Sequence, residues 1–359
     1  MYDYMSQNSE QFKKRLTNLD GKIWELIARI DEIKGKWSAG SRLAPSTLTT
    51  LRQSVLITST GASTRIEGSH LSDEEVEKVM RGLSVTKFRE RDVQEVRGYL
   101  EVLANIFNSF ETLSLREGVI QHLHKELLQY SEKDASHRGK YKQKENIVGV
   151  QNEKGEVEQI IFETTPAWLV QKEMTEIVEW THQELEKKEI HPLLVIGNFL
   201  VEFLKIHPFE DGNGRLSRIL GNMLLLRAGY LYMPYVSHEQ IVEQQKEAYY
   251  LALRQSQATF KTGQQSIEPW LVFFFGVVNK QGVRAVALLE GEHLEDILSK
   301  KQLEVWGCVA NAEEIRAGEI AKQTGIARPT VNQALKKLLR LGKIRLIGQG
   351  RAVRYKKIS

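Results

Sequence analysis

Cysteine is almost absent from this chain: Cys308 is the only one among 359 residues. A lone thiol excludes an internal disulfide and any zinc site built from several cysteines. It suits a reducing compartment, so a cytoplasmic location is expected. Long apolar runs are missing as well. The longest, Trp270 to Val278, is by itself far too short to cross a bilayer. The opening residues, MYDYMSQNSE, lack the basic flank and apolar block of a secretory signal, so no membrane partner is expected. Internal repeats and low-complexity segments are lacking too.

What is present is ordinary in proportion and uneven in distribution. Hydrophobic residues make up 41% and charged residues 27%, the balance of a globular chain. The length suggests two or three domains. The net charge of +4 hides an asymmetry, because Glu313 to Ser359 holds 12 Lys/Arg against 3 Asp/Glu. A basic tail therefore follows a mildly acidic body, and contact with a polyanion such as nucleic acid is expected of that tail.

Hydrophobic periodicity predicts a mainly α fold. Residues 10–37 carry Leu16, Leu19, Ile23, Leu26, Ile27, Ile30 and Ile33 at spacings of three and four, which predicts a helix. A second helix should end near Gly68, and another should begin after Ser72 with Glu75 completing a capping box. Two helices are expected over 91–130, divided near Thr112. Residues 139–165 change character: β-branched runs on either side of NEKG predict a hairpin. Helices are then expected over 166–189, 192–206, from DGNG to about Gly229, over 238–257, and from Glu268 to about Ser299. The last 50 residues predict helix, turn at Gly325, helix from Arg328 to Leu341, and two short strands flanking GQGR. That is a winged helix-turn-helix pattern.

The stretch 207–218, HPFEDGNGRLSR, joins two of these helices. A helix N-terminus offers free N–H groups and a partial positive charge to an anion. Gly212 and Gly214 let the backbone approach a ligand closely, and Asn213 between them can donate from its side chain. Arg215 and Arg218, three apart at the start of the next helix, can grip phosphate oxygens in a fixed fork. Asp211 beside bound phosphates would hold Mg²⁺. His207 at the other edge is a candidate base, and Phe209 is expected to point inward and pin the loop. These groups suit an Mg-bound di- or triphosphate with a base near phosphorus. A capped helix with solvated arginines is the bland alternative.

HPFEDGNGRLSR resembles the Fic signature, H-x-F-x-(D/E)-G-N-G-R-x-x-R, at every defined position. The resemblance covers roughly residues 40–290. It implies a Fic-type helical bundle with a β-hairpin flap at 146–165 and a small C-terminal winged helix domain. The expected boundaries are an N-terminal helical region, 1–110, a catalytic core, 111–290, and the winged helix, 300–359. The activity implied is transfer of AMP from ATP to a protein Ser, Thr or Tyr hydroxyl, with His207 as general base and Asp211 holding Mg²⁺. Gly212, Asn213 and Gly214 would form the anion hole, and Arg215 and Arg218 would hold the β and γ phosphates. Retention of Gly214 and Arg215 favours nucleotidyl over phosphoryl transfer.

STRIEG at 63–68 resembles the family's inhibitory motif, (S/T)-x-x-x-E-(G/N), within a helix around 54–68. The resemblance implies that Glu67 pairs with Arg218 and blocks the productive pose of ATP, and that AMP removal is a further activity of such chains. On the flap, Ile160, Ile161 and Phe162 would cover the nucleotide, although ETTPAW replaces the proline run of many relatives. Tyr249, Tyr250 and Gln257 correspond to relatives' adenine-side residues; helix-core aromatics with a surface amide is the competing reading. His122 and His124 read as surface or packing residues, since no third ligand at metal spacing accompanies them, and His191-Pro192 reads as a helix start. Homodimerisation is implied by resemblance. The alternative function is a DNA-binding transcriptional regulator whose Fic domain senses nucleotide.

Overall fold

The structure is a computed structural model that describes residues 10–40, 45–83, 90–151, 157–262, 264–289, 298–348 and 353–358. Helices dominate it. In the body they are α1 (Gly21–Gly40), α2 (Pro45–Ile66), α3 (Asp73–Met80), α4 (Glu90–Ser109) and α5 (Glu117–Leu127). A hairpin follows, β1 (Ile147–Gln151) with β2 (Val157–Glu163). Then come α6 (Ala167–Lys187), α7 (Pro192–Ile206), α8 (Asn213–Arg227), α9 (His238–Glu243), α10 (Lys246–Ala258) and α11 (Glu268–Leu289).

Three expected spans are corrected. The first helix does not run unbroken over 10–37: a short helical turn at 10–14 ends at Asn18, whose φ is 56°, and α1 starts afresh at Gly21. Asp20 accepts a hydrogen bond from Lys22 N at 2.7 Å, which favours this break. The span 238–257 is two helices with a turn at Gln244–Gln245. The last body helix stops at Leu289, short of Ser299; Ser299 instead caps a new helix, and the residues between 290 and 297 lie outside the described ones.

The core forms around α7, whose apolar residues are buried on all sides. α11 packs along α1 and also meets α7 and α10. By length and composition α11 could span a membrane, yet Trp270, Leu271, Phe274, Phe275, Val277 and Val278 are buried in this core. Its buried Gln281 donates to the carbonyl of Val236 at 2.7 Å, so one polar group inside an apolar surround is satisfied.

α3 begins as its sequence predicts. The Glu75 carboxylate accepts from Ser72 N at 2.8 Å. α3 packs on α2 and α4 through Ile57, Leu71, Val76, Val79 and Val96. The hairpin is antiparallel, pairing Ile147 with Glu163 and Val148 with Phe162, and its register shifts between Val148 and Gly149 and again between Val150 and Gln151.

The C-terminal unit is α12 (Lys300–Ala310), α13 (Ala317–Thr324), α14 (Arg328–Arg340), β3 (Ile344–Ile347) and β4 (Arg354–Lys357). Gly325 turns the chain with φ 68°, and β3 pairs antiparallel with β4. Ile315 adds a bridge to Tyr355. Val305, Ile320, Val331, Leu335 and Leu338 lie in its own core. This is the expected winged helix arrangement, with one more helix in front of it.

Candidate nucleotide site at the α7–α8 turn

The site is built on the end of one buried helix and the start of the next. α7 ends when His207 adopts the left-handed conformation, φ 52°, with its N–H donating to Phe203 O at 2.9 Å. Such a conformation is costly for a residue with a Cβ, and Pro208 next in sequence prevents the helix from continuing. Phe209 is fully buried and stacks on His124, ring centroids 3.7 Å apart. The inward pin expected of Phe209 is therefore present, and its partner is His124.

Asn213 closes the loop rather than offering its amide to a ligand. Its Nδ2 donates to Phe209 O at 2.8 Å and its Oδ1 accepts from Phe209 N at 2.9 Å. The expectation of a side-chain donor at Asn213 is thus corrected; its contribution to an anion is limited to the backbone N–H at the start of α8. Gly212, with φ 82°, precedes that helix. Gly214 has the sharper steric requirement: a Cβ there would lie 2.2 Å from Glu67 Oε1. The space over Gly214 is occupied by the Glu67 carboxylate.

Glu67 reaches this space from just beyond the end of α2. Arg218 Nη2 donates to Glu67 Oε1 at 2.8 Å and to Ser63 O at 3.0 Å, while Arg218 Nε donates to Ser63 Oγ at 2.8 Å. Burial, the largest single influence, would make this guanidinium easier to deprotonate, but Glu67, Tyr249 and Tyr99 together outweigh it and hold the proton more firmly. Among the described residues, Arg218 Nη1 is buried without a hydrogen-bond partner.

Arg215 does not share Arg218's direction. It is 2% exposed, its Nη1 lies 3.0 Å from Glu95 Oε2, and its Nη2 donates to Asp211 Oδ1 at 3.0 Å. Asp211 Oδ1 also accepts from Gly212 N at 2.5 Å, and Oδ2 accepts from Arg91 Nη2 at 3.0 Å. Burial raises the Asp211 carboxyl, but the surrounding guanidinium groups, Arg215 first, bring it below its ordinary value, so it is charged at neutral pH.

The His207 ring is half-buried, and its Nδ1 lies 3.3 Å from Leu204 O. Burial pushes its pKa down to about 4, with the Lys142 ammonium adding to the depression. It is neutral at pH 7.

Several positioning residues escaped the sequence reading. His124 is fully buried; its Nδ1 accepts from Gly139 N at 2.8 Å, which leaves Nε2 to donate to Asp211 O at 2.9 Å. Its place among Ile120, Leu123 and Leu127 on the apolar side of α5 is the signal that could have found it. His122, by contrast, is exposed near Glu126. Lys142 is buried: its Nζ donates to Asn146 Oδ1 at 2.6 Å and Thr164 Oγ1 at 2.8 Å, and its backbone N–H donates to Pro208 O at 2.8 Å. Asn146 Nδ2 in turn donates to Phe209 O at 3.0 Å. The two feet of the hairpin are thereby tied to the α7–α8 turn.

The remaining predicted residues spread outward. Tyr249 is buried against Trp270, ring centroids 5.9 Å apart, beside Arg218; Tyr250 is half-buried next to it, 5.1 Å from ring to ring. Gln257 is buried; its Nε2 donates weakly to Val201 O, its Oε1 has no partner among the described residues, and it lines a cavity of about 440 Å³ with Arg15, Glu202 and Lys205. Ile160, Ile161 and Phe162 have their backbone in β2, while their side chains fall outside the described ones. His191 does start α7, with Nδ1 accepting from Leu193 N at 3.3 Å.

Comparison with known proteins defines the class. Residues 114–225 match the Fic/DOC family and residues 302–345 match the winged helix-turn-helix DNA-binding family. The chain thus carries a Fic/DOC-family domain and, behind it, a winged helix-turn-helix domain. Among curated proteins it is similar to the protein adenylyltransferase Fic of Drosophila mojavensis and of Drosophila grimshawi, 38% identical over 81 residues in each case. That segment is 23% of this chain and only 15% of each relative's length. Among solved structures it is similar to a Fic family protein from Desulfovibrio desulfuricans G20, with TM-score 0.62 and 24% identity over 95% of this chain and 97% of that one. A Fic domain containing signaling protein from Bacteroides thetaiotaomicron gives TM-score 0.62 and 23% identity, covering 76% of this chain and 99% of that one. These likenesses establish the fold.

Proposed function

We propose that the chain transfers AMP from ATP to a Ser, Thr or Tyr hydroxyl of a protein, itself included, and that Glu67 restrains this activity. The observation that carries the reading is the Glu67 carboxylate seated over Gly214 against Arg218, at the start of a helix whose N–H groups face the same space. In this reading a phosphate oxygen would take the place of that carboxylate. The relatives named protein adenylyltransferase support the reaction class.

In this reading the N–H groups at Gly212, Asn213 and Gly214 hold phosphate oxygens, and Arg215 and Arg218 hold the β and γ phosphates. Arg218 must first leave Glu67, and Arg215 must turn from Glu95 and Asp211. The target hydroxyl gives its proton to His207, its oxygen bonds to the α phosphorus, and the bond to the β phosphate breaks to release pyrophosphate. A pKa near 4 is low for a base; phosphate charge close to the ring would raise it toward neutrality. Gln257 Oε1, buried and unpartnered, suits the amino group of adenine. Tyr250, half-buried, is better disposed to meet the base than Tyr249, and Ile160, Ile161 and Phe162 would cover it.

Mg²⁺ fits this site as a companion of the nucleotide. Asp211 is charged, and its side chain is about a third exposed at 34%. Among the described residues no group of three or more His, Cys, Asp and Glu gathers to hold a metal alone. Mg²⁺ is ordinarily held by one or two carboxylates plus substrate phosphates and water, and Asp211 would supply the carboxylate once Arg91 yields its Oδ2. The ion would offset phosphate charge. With Glu67 in place, the same carboxylate would orient water for removal of AMP, the reverse activity that the resemblance implies.

The test is incubation with labelled ATP and Mg²⁺, following label on protein. Glu67→Gly should raise transfer about 10- to 100-fold, since a charge-assisted hydrogen bond is worth about 1.5–3 kcal/mol. Adding His207→Ala should abolish it. Unchanged transfer in the first variant ends the brake; surviving transfer in the second ends the catalytic assignment. A second reading, a DNA-binding regulator that senses nucleotide, is favoured by the basic winged helix and is tested by salt-dependent binding to duplex DNA.

A further inference from the structure

We propose that the winged helix rests on the body with its nucleic-acid-reading face against the acidic helix α3, so that duplex DNA and the body compete for one side of α14. The inference does not depend on AMP transfer.

The faces of α14 are defined by what is buried. Val331, Ala334, Leu335 and Leu338 point into the winged helix core. At about 100° per residue, the opposite side is centred on Gln333, Lys336 and Arg340. In a helix-turn-helix the side of the second helix away from the core enters the major groove. Here that side is partly covered. The Gln333 side-chain amide donates to the carboxylate of Glu77, on α3. Ser299 Oγ, which caps α12, donates to Glu74 Oε1 at 2.6 Å. Lys337 Nζ donates to Gln302 Oε1 at 2.9 Å and feels the charges of Asp73, Glu77 and Glu74 across the seam, while burial pushes its amine down to about 8.

Glu74 and Glu77 are three apart and therefore share one side of α3. A pair of carboxylates in front of an amide and an ammonium imitates the groups a duplex presents there: phosphate oxygens and acceptor edges of bases. The seam is not closed. A void of about 170 Å³ opens in it, lined by Gln333, Lys337 and Arg340 together with Thr50, Ser54 and Glu77. Among described residues the buried cores of the two units stay separate, with partly buried Leu341 touching both. A small, mainly polar seam of this kind opens readily. The 12 Lys/Arg against 3 Asp/Glu over Glu313 to Ser359 identify a polyanion as the competitor.

The experiment is fluorescence anisotropy with a labelled mixed-sequence DNA duplex at low salt, comparing the full chain with Glu74→Ala/Glu77→Ala. The variant should bind at least about tenfold more tightly, with the steep salt dependence of phosphate contacts. Equal or weaker binding, or none by either protein, overturns the proposal. Because the two acids help seat α3, a second arrangement guards against a folding artefact. In a Cys308→Ser background, Glu77→Cys and Gln333→Cys are bridged by a short bis-maleimide. The bridged chain should lose DNA binding relative to the same chain unbridged; equal binding overturns the proposal. Neither set of changes touches residues 207–218, so a failure of the AMP-transfer reading would be distinguishable.

Discussion

Two helices in this molecule follow a glycine-containing turn and carry arginine in their first turns, α8 and α14. Their surroundings differ completely. α8 is buried on all sides, and its arginines meet acids brought by other parts of the chain: Glu95 and Asp211 for Arg215, Glu67 for Arg218. α14 buries a single stripe, leaving Arg328, Asn332, Lys336 and Arg340 exposed. Basic residues at a helix start therefore do not define a ligand by themselves. Enclosure leaves α8 room only for a small group beside its arginines, whereas α14 keeps part of one side open.

The comparison breaks first at the loop in front of α8. Phe209→Ala should cost about 3–5 kcal/mol, the usual loss for a buried aromatic. Urea unfolding measures it, and a loss below 1 kcal/mol would mean that the turn holds without its pin.

Acid should loosen the same region. His124 is neutral in the fold, its pKa lowered to about 4 from an ordinary 6.5 mainly by burial. The unfolded chain binds this proton more readily, so the contribution of His124 to stability is full above pH 6.5 and disappears as pH falls toward 4. The difference is on the order of 3 kcal/mol. His207, also depressed to about 4, adds a slope of the same sign. His124→Asn should remove its share of the slope in chemical unfolding followed from pH 7 to 4; an unaltered slope would detach His124 from the turn.

A double-mutant cycle sharpens the contact over Gly214. Gly214→Ala should destabilise the wild-type chain by forcing Glu67 aside, and should cost less by about 1–3 kcal/mol in a Glu67→Gly background. Additive melting shifts would mean that the two residues do not share the space. The smallest effect belongs to α14: Lys336→Ala, on an exposed face, should leave stability within about 0.5 kcal/mol of wild type, in contrast to any substitution at Arg218.

The contiguous parts of the site were legible in the sequence because their chemistry is local. The loop 207–218 and the run 63–68 each carry their residues within a dozen positions, and the pair Glu67–Arg218, present in the structure, was implied by the family resemblance of those two motifs. His124, Lys142, Arg91 and Glu95 were not legible, since each acts across a long sequence separation through a contact that periodicity does not encode. Asn213 was read as a donor to a ligand because its partner, the Phe209 backbone, depends on how tightly the turn closes. The break at Gln244–Gln245 lacks glycine or proline, so nothing in the helical pattern announced it.

The space over Gly214 is filled by one carboxylate oxygen of Glu67. Under the proposed function, that oxygen and a phosphate oxygen would take turns there, and the resting form would be a chemical look-alike of a loaded form. Small dianions at high concentration would then act on the chain as counterfeit keys, ejecting Glu67 without delivering anything to transfer.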